Sequence, residues 1–236
     1  MPQTRHKNKQ ETGSSRLPAS MRAEEYARLK ELLLQLKPET TLEIGMANGE
    51  SSLVICEVLN QLGRGKHIAI DPFESSPTGW AGRGIEKIRQ AGLSHCFELL
   101  EEFDYLALPR LVAEQKSFDF ILIDGWHSFD YTFIDLFYAD LLLKPGGILV
   151  LHDTGWPAVY KACRFLETHK RYDRISPPIA VTIPSLIGRI SRRIRQILGG
   201  PKTYREARRR RTEWYSLGAY RKRENYQVPN DFFAEF

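Results

Sequence analysis

Two uninterrupted apolar runs, FILI at 120–123 and ILVL at 148–151, limit what this chain can fold into more than any other feature. Neither alternates with polar residues, so neither suits a sheet with one face in water. Such runs read as strands covered on both faces, the habit of parallel sheets. The surrounding segments agree. SMRAEEYARLKELLLQL (20–36) predicts a helix, capped by Ser20, with Tyr26, Leu29, Leu33 and Leu36 at helical spacing. Pro38 stops it. Strands are predicted at TTLEIG (40–45), KHIAID (66–71), HCFELL (95–100), FDFILID (118–124) and GILVLHD (147–153). Helical patterns follow them at 50–62, near 85–91, and at 105–115, 131–143 and 157–169. Strand then helix, five times over, predicts an α/β fold: a doubly wound, mainly parallel sheet with helices on both faces. Ligands of such sheets sit beyond the carboxyl ends of the strands, near the point where strand order reverses.

With 236 residues, 42% of them hydrophobic, the chain can bury one large core. Residues 1–16 are polar and predict a flexible tail, followed by one domain over 17–236. Cys56, Cys96 and Cys163 lie far apart with no C-x-x-C pair, which argues against a disulfide framework or a zinc knuckle. No apolar run approaches the roughly 18 residues of a membrane span, and the first residues lack an apolar signal core. These features predict a cytoplasmic protein. Its net charge of +5 is unevenly spread. Residues 186–211 hold nine Arg and one Lys against Glu206, and residues 1–20 are also basic. The remaining body is acidic, so the basicity gives no general case for nucleic acid as a partner.

Polar residues gather where the strands end. The first runs into LEIGMANGESS, with Glu43, Gly45, Ala47, Gly49 and Ser51. Its spacing, E-x-G-x-A-x-G, differs from the dinucleotide fingerprint, and its glycines suit close approach of a ligand to backbone. Glu43 would repel a pyrophosphate and tolerate a cationic amino-acid ligand. The second strand ends at Asp71, a position from which an acid commonly takes the two hydroxyls of a ribose. The fourth ends in Asp124, Gly125, Trp126 and His127, and the fifth in His152 and Asp153. Asp124 and Asp153 also read as turn and helix-cap residues.

Glu43-Ile-Gly45-x-Ala47-x-Gly49, Asp71, FDFILIDGWH and LLLKPGGILVLHD together resemble a class I S-adenosylmethionine-dependent methyltransferase, over roughly residues 20–170. Within that family they are most similar to the metal-dependent macrocin and mycinamicin type of sugar O-methyltransferase. The resemblance implies a Rossmann-like sheet of seven strands whose last two form a hairpin. It implies that Glu43, Gly45, Ala47, Gly49 and Ser51 surround the methionine part of S-adenosyl-L-methionine, and that Asp71 holds the ribose. Phe103 and Asp104 stand where the family often has an Asp-Ser pair near the adenine. By the same resemblance Asp124, which borders the cofactor, and Asp153 ligate a divalent metal, Mg or Mn, with His127 as general base. His152 departs from the family, standing where an acid is usual. It is retained as a third ligand, one better suited to manganese or iron than to magnesium.

An alcohol is a poor nucleophile at neutral pH; a Lewis acid on its oxygen and a base titrating near neutrality address that. The resemblance implies a hydroxyl of a sugar or other small metabolite as the acceptor. Trp80, Trp126 and Trp156 fall in loops on the ligand side. IPSLIGRISRRIRQILGG (183–200) predicts a basic amphipathic helix inside an insertion at about 185–213, with WYSLGAYRKR (214–223) returning as the last strand. Such a helix suits peripheral contact with an anionic membrane and a lipid-linked glycan as acceptor, or simple docking on the domain. An RNA methyltransferase using the Arg-rich segment and a noncatalytic cofactor-binding partner protein remain as other readings. Oligomeric state is not legible.

Overall fold

The apolar runs become the two central strands of a sheet closed on both faces by helices. The computed structural model describes residues 21–175 and 217–236, with Ile194 between them. The predicted tail at 1–16, the cap at Ser20 and the basic insertion at about 185–213 lie outside that set, Ile194 apart. The chain opens with α1 (Ala23–Leu36), then β1 (Thr40–Ile44), α2 (Glu50–Gln61), β2 (Lys66–Ile70) and α3 (Arg83–Gln90). It continues with β3 (Phe97–Leu100), α4 (Asp104–Ala113), β4 (Phe118–Ile123), α5 (Phe129–Leu142), β5 (Leu143–His152) and α6 (Pro157–His169). It closes with β6 (Tyr172–Arg174) and β7 (Leu217–Lys222).

Among the described residues these strands form one seven-stranded sheet in the order β3-β2-β1-β4-β5-β7-β6. β1 to β5 are parallel, and β7 runs antiparallel to both β5 and β6. Alternate side chains of the apolar runs serve opposite faces. Phe120, Leu122, Ile148 and Val150 pack with Leu29, Leu32 and Leu33 of α1 and Ile55, Val58 and Leu59 of α2. Ile121, Ile123, Leu149 and Leu151 pack with α4, α5 and α6. That two-sided burial is why the sequence shows no alternation, and each such side chain contributes about 1.5–3 kcal/mol.

The boundaries differ from expectation where backbone chemistry overrides pattern. KPGG does not end α5 in a loop; Leu143 already pairs with Phe118, so β5 begins four residues before the predicted strand, across an irregularity in register. β6 is the strand that the resemblance implies but no residue pattern places: its three residues, half-buried or exposed, carry no apolar signal. Order reverses between β1 and β4, and the crevice at their carboxyl ends is where the polar strand-end residues meet.

Candidate active site

The floor of the crevice is a corner of backbone. Gly45 follows β1 at φ 89°, and a Cβ there would lie 2.3 Å from the carbonyl oxygen of Asp124. Only glycine allows that approach. Gly45 N–H donates to Ile70 O at 2.9 Å, and Asp124 N–H to Ile44 O at 2.8 Å, so β1, β2 and β4 are locked together at their ends. Asp71 clamps the following turn. Its Oδ2 accepts the N–H of Met46 at 3.2 Å and of Ala47 at 2.9 Å, and its Oδ1 that of Phe73 at 2.9 Å.

Over this corner lies a cavity of about 440 Å³, within the range of small-molecule sites. Gly45, Ala47, Asp71, Phe103, Asp104 and Asp124 line it, all predicted cofactor residues, and Trp80 and Trp126 stand at its sides. Phe103 lies parallel to Tyr105 at 5.1 Å and edge-on to Phe73 at 5.7 Å. Three predicted cofactor residues do not line it. Glu43 is fully buried and accepts the hydroxyls of Ser51 and Ser52, with Oε2 3.1 Å from His67 Nε2. Glu43 and Ser51 thus tie β1 to the start of α2. Gly49 is glycine because Gly84 Cα stands 2.7 Å from where its Cβ would be, where α2 meets α3. The larger groove of the molecule, about 780 Å³ around Asp140, Lys170 and Lys222, lies at the opposite end of the strands.

Beside the cavity, the ends of β4 and β5 bring Asp124, His127 and His152 together, each with a ligand atom within 4.8 Å of the others. His152 Nδ1 is 2.8 Å from Asp124 Oδ1. His127 Nε2 lies 3.5 Å from Asp124 Oδ1 and 3.7 Å from Asp153 Oδ2. Asp153 reaches the group from a left-handed backbone at φ 51°, which Asp tolerates better than most residues. Of the predicted ligands, Asp124 and His152 meet directly and Asp153 stands at the margin, while His127, the predicted base, lies in the same group. Burial pushes the Asp124 carboxyl up, but the His127 and His152 imidazoles beside it outweigh that and hold it below the usual carboxylate range. Burial lowers the His152 imidazole, yet Asp124 and Glu25 together raise it to about 10. Burial and the neighbouring carboxylates raise Asp153.

These residues fit a divalent metal. His127 Nε2 is buried with no hydrogen-bond partner and faces two carboxylates. Imidazole beside carboxylate suits manganese and its neighbours. Trp156 packs on His127 with centroids 5.3 Å apart, and both Trp156 and Trp126 keep broad exposed faces.

Sequence reasoning missed two acids here. Glu25 of α1 is buried with Oε2 3.5 Å from His152 Nε2. Its spacing to Leu29 and Leu32 put it on the apolar face of the helix, a signal that was there to read. Asp135 of α5 is fully buried beneath Gly125, and neither oxygen finds a donor. Burial, then the nearby Asp104, pushes its carboxyl well up.

Residues 42–154, just under half of the chain, match the family model Methyltransf_24, described as a methyltransferase domain. A putative caffeoyl-CoA O-methyltransferase of Arabidopsis thaliana is 30% identical over 128 residues, 54% of this chain and 52% of that one. The chain therefore matches about half the length of that curated relative. Among solved structures, cofactor-bound Rv0187 from MTB superposes with a TM-score of 0.64 at 16% identity, over 89% of this chain and 84% of that one. The O-methyltransferase TomG from Streptomyces achromogenes, involved in tomaymycin synthesis and solved with SAM, gives 0.56 at 22% identity, over 69% and 77%. These structures share the seven-stranded Rossmann-like fold.

Proposed function

We propose that this chain, whose residues 42–154 match a methyltransferase domain, is an S-adenosylmethionine-dependent O-methyltransferase acting on a hydroxyl of a small acceptor. The observation that carries this reading is the double membership of Asp124. It lines the 440 Å³ cavity and also belongs to the histidine and carboxylate rim. A donor in the cavity and an acceptor at the rim then meet across one residue, and proximity of that kind is a large part of catalysis. The related O-methyltransferases support the reaction class.

The roles follow from position. Gly45, Ala47 and the Asp71 clamp shape the cavity wall, and Phe103 offers an aromatic face. Bound S-adenosylmethionine would supply an electrophilic methyl group, and Asp124, His152 and Asp153 would hold a divalent ion whose Lewis acidity would serve the acceptor oxygen. His127 Nε2, buried beside Asp124 and Asp153, takes the hydroxyl proton. The exposed faces of Trp126 and Trp156 suit a sugar or another ring-bearing hydroxylated metabolite.

The test is calorimetric titration of S-adenosylhomocysteine, paired with a methyl-transfer screen over hydroxylated sugars and phenols in manganese. One-to-one binding with transfer to oxygen is expected. His127→Ala should lower turnover by about 10²–10⁴-fold with S-adenosylhomocysteine binding retained. No binding of S-adenosylhomocysteine would overturn the proposal.

A further inference from the structure

Glu25 reaches this neighbourhood from a helix rather than from a strand end. It stands in the first turn of α1, 2% exposed. Part of its position is explained locally. Its Oε2 accepts the Arg22 N–H at 2.6 Å and its Oε1 lies 3.3 Å from the Arg22 guanidinium, completing a capping box at the helix start. A cap does not require burial, and a Glu buried this far calls for a charged partner. Oε2 is also 3.5 Å from His152 Nε2, while the opposite nitrogen of that ring is 2.8 Å from Asp124 Oδ1. The imidazole is held from both sides, by α1 and by the end of β4.

We infer that Glu25 is a positioning residue of the rim, holding His152 so that Nδ1 is presented to a divalent transition ion shared with Asp124. The inference rests on the metal-assisted reading above. A carboxylate on the outer N–H of a histidine fixes its tautomer and ring plane and makes the inner nitrogen a better donor. Here the carboxylate is fastened by a helix cap 127 positions away in sequence, so α1 becomes part of the metal centre without touching the ion. A nitrogen donor so held favours cobalt, manganese or zinc over magnesium.

The decisive variant is Glu25→Gln, because glutamine completes a capping box as glutamate does but carries no charge. Co²⁺ is titrated into the full chain and followed by its visible absorption and by calorimetry, with Mg²⁺ as competitor. The wild type should bind one Co²⁺ with a nitrogen-ligand spectrum that Mg²⁺ fails to displace. Glu25→Gln should weaken Co²⁺ by about 10–100-fold, with Tm and S-adenosylhomocysteine affinity unchanged. Unaltered Co²⁺ affinity in Glu25→Gln would overturn the inference. So would a loss matched by an equal fall in Tm, which marks a cap alone. A wild type that takes up no Co²⁺, Mn²⁺ or Zn²⁺ overturns it as well, while S-adenosylhomocysteine binding and methyl transfer judge the transfer reading separately.

Discussion

Replacing Asp71 by asparagine removes one oxygen from a carboxylate that holds three backbone N–H groups. Asp71 is 5% exposed, so water cannot substitute for the lost acceptor. The asparagine keeps its oxygen toward Met46 and Ala47, where two donors converge, and turns its NH₂ toward Phe73 N–H. One charge-assisted bond is lost outright, worth about 1.5–3 kcal/mol, and two others become neutral. The expected destabilisation is about 3 kcal/mol, a fall in Tm of about 6–12 °C for a chain of this size. The same turn forms a wall of the 440 Å³ cavity, so S-adenosylhomocysteine affinity should drop by at least about tenfold, or 1.4 kcal/mol. Thermal unfolding with and without S-adenosylhomocysteine reads both effects. A variant with wild-type Tm and wild-type affinity would refute the idea that this carboxylate holds the turn.

Gly45→Ala forces a methyl group to within 2.3 Å of Asp124 O at a positive φ; a loss of about 3 kcal/mol or more and of S-adenosylhomocysteine binding is expected, checked by urea unfolding and calorimetry. Asp119 predicts a pH effect. Burial raises its carboxyl, but Lys144 and the N–H groups of Glu39 and Thr40 outweigh that and hold it below the usual range. A lowered folded-state pKa means stability that is complete above the unfolded value of about 3.9 and lost as pH falls through the lower folded value. Asp119→Asn should therefore cost about 1–2 kcal/mol at neutral pH, less than a buried site because the carboxylate is partly exposed. The gap from wild type should close in urea titrations below the carboxylate range; a gap constant with pH would contradict the assignment.

Periodicity gave the helices and strands where packing alone decides them. α6 starts at Pro157 and ends at His169 as read, because a proline in the first turn and an apolar stripe both mark it. Pattern failed where pairing decides: β6 is three residues on the edge, and the start of β5 is fixed by a partner strand rather than by its own composition. At the site, the residue types at the strand ends were legible: Asp124, His127, His152 and Asp153 lie together at the rim, and Asp71 lines the cavity beside it. Which of them face a cavity was not. Glu43, Ser51 and Gly49 carry the same letters whether they touch a ligand or brace β1, α2 and α3, and only the third dimension separates those uses. Asp135 was hidden because an acid in a helix reads as a solvent-facing residue until its face is known, whereas the apolar spacing around Glu25 did mark its face.

The missing side chain at Gly45 reaches further than the turn it permits. Because Asp124 O occupies the space a Cβ would take, the segment that shapes the cavity wall and the segment that carries Asp124 are in direct backbone contact. On the proposed reading, donor alignment and acceptor activation would be coupled at that corner. The aromatic flanks, Trp126 and Trp156, are under no such constraint, with most of one and nearly half of the other open to solvent. For the proposed transfer, acceptor range would then be tunable at the periphery while the geometry at the corner stays fixed, a division that would make the scaffold easy to retarget and hard to detune.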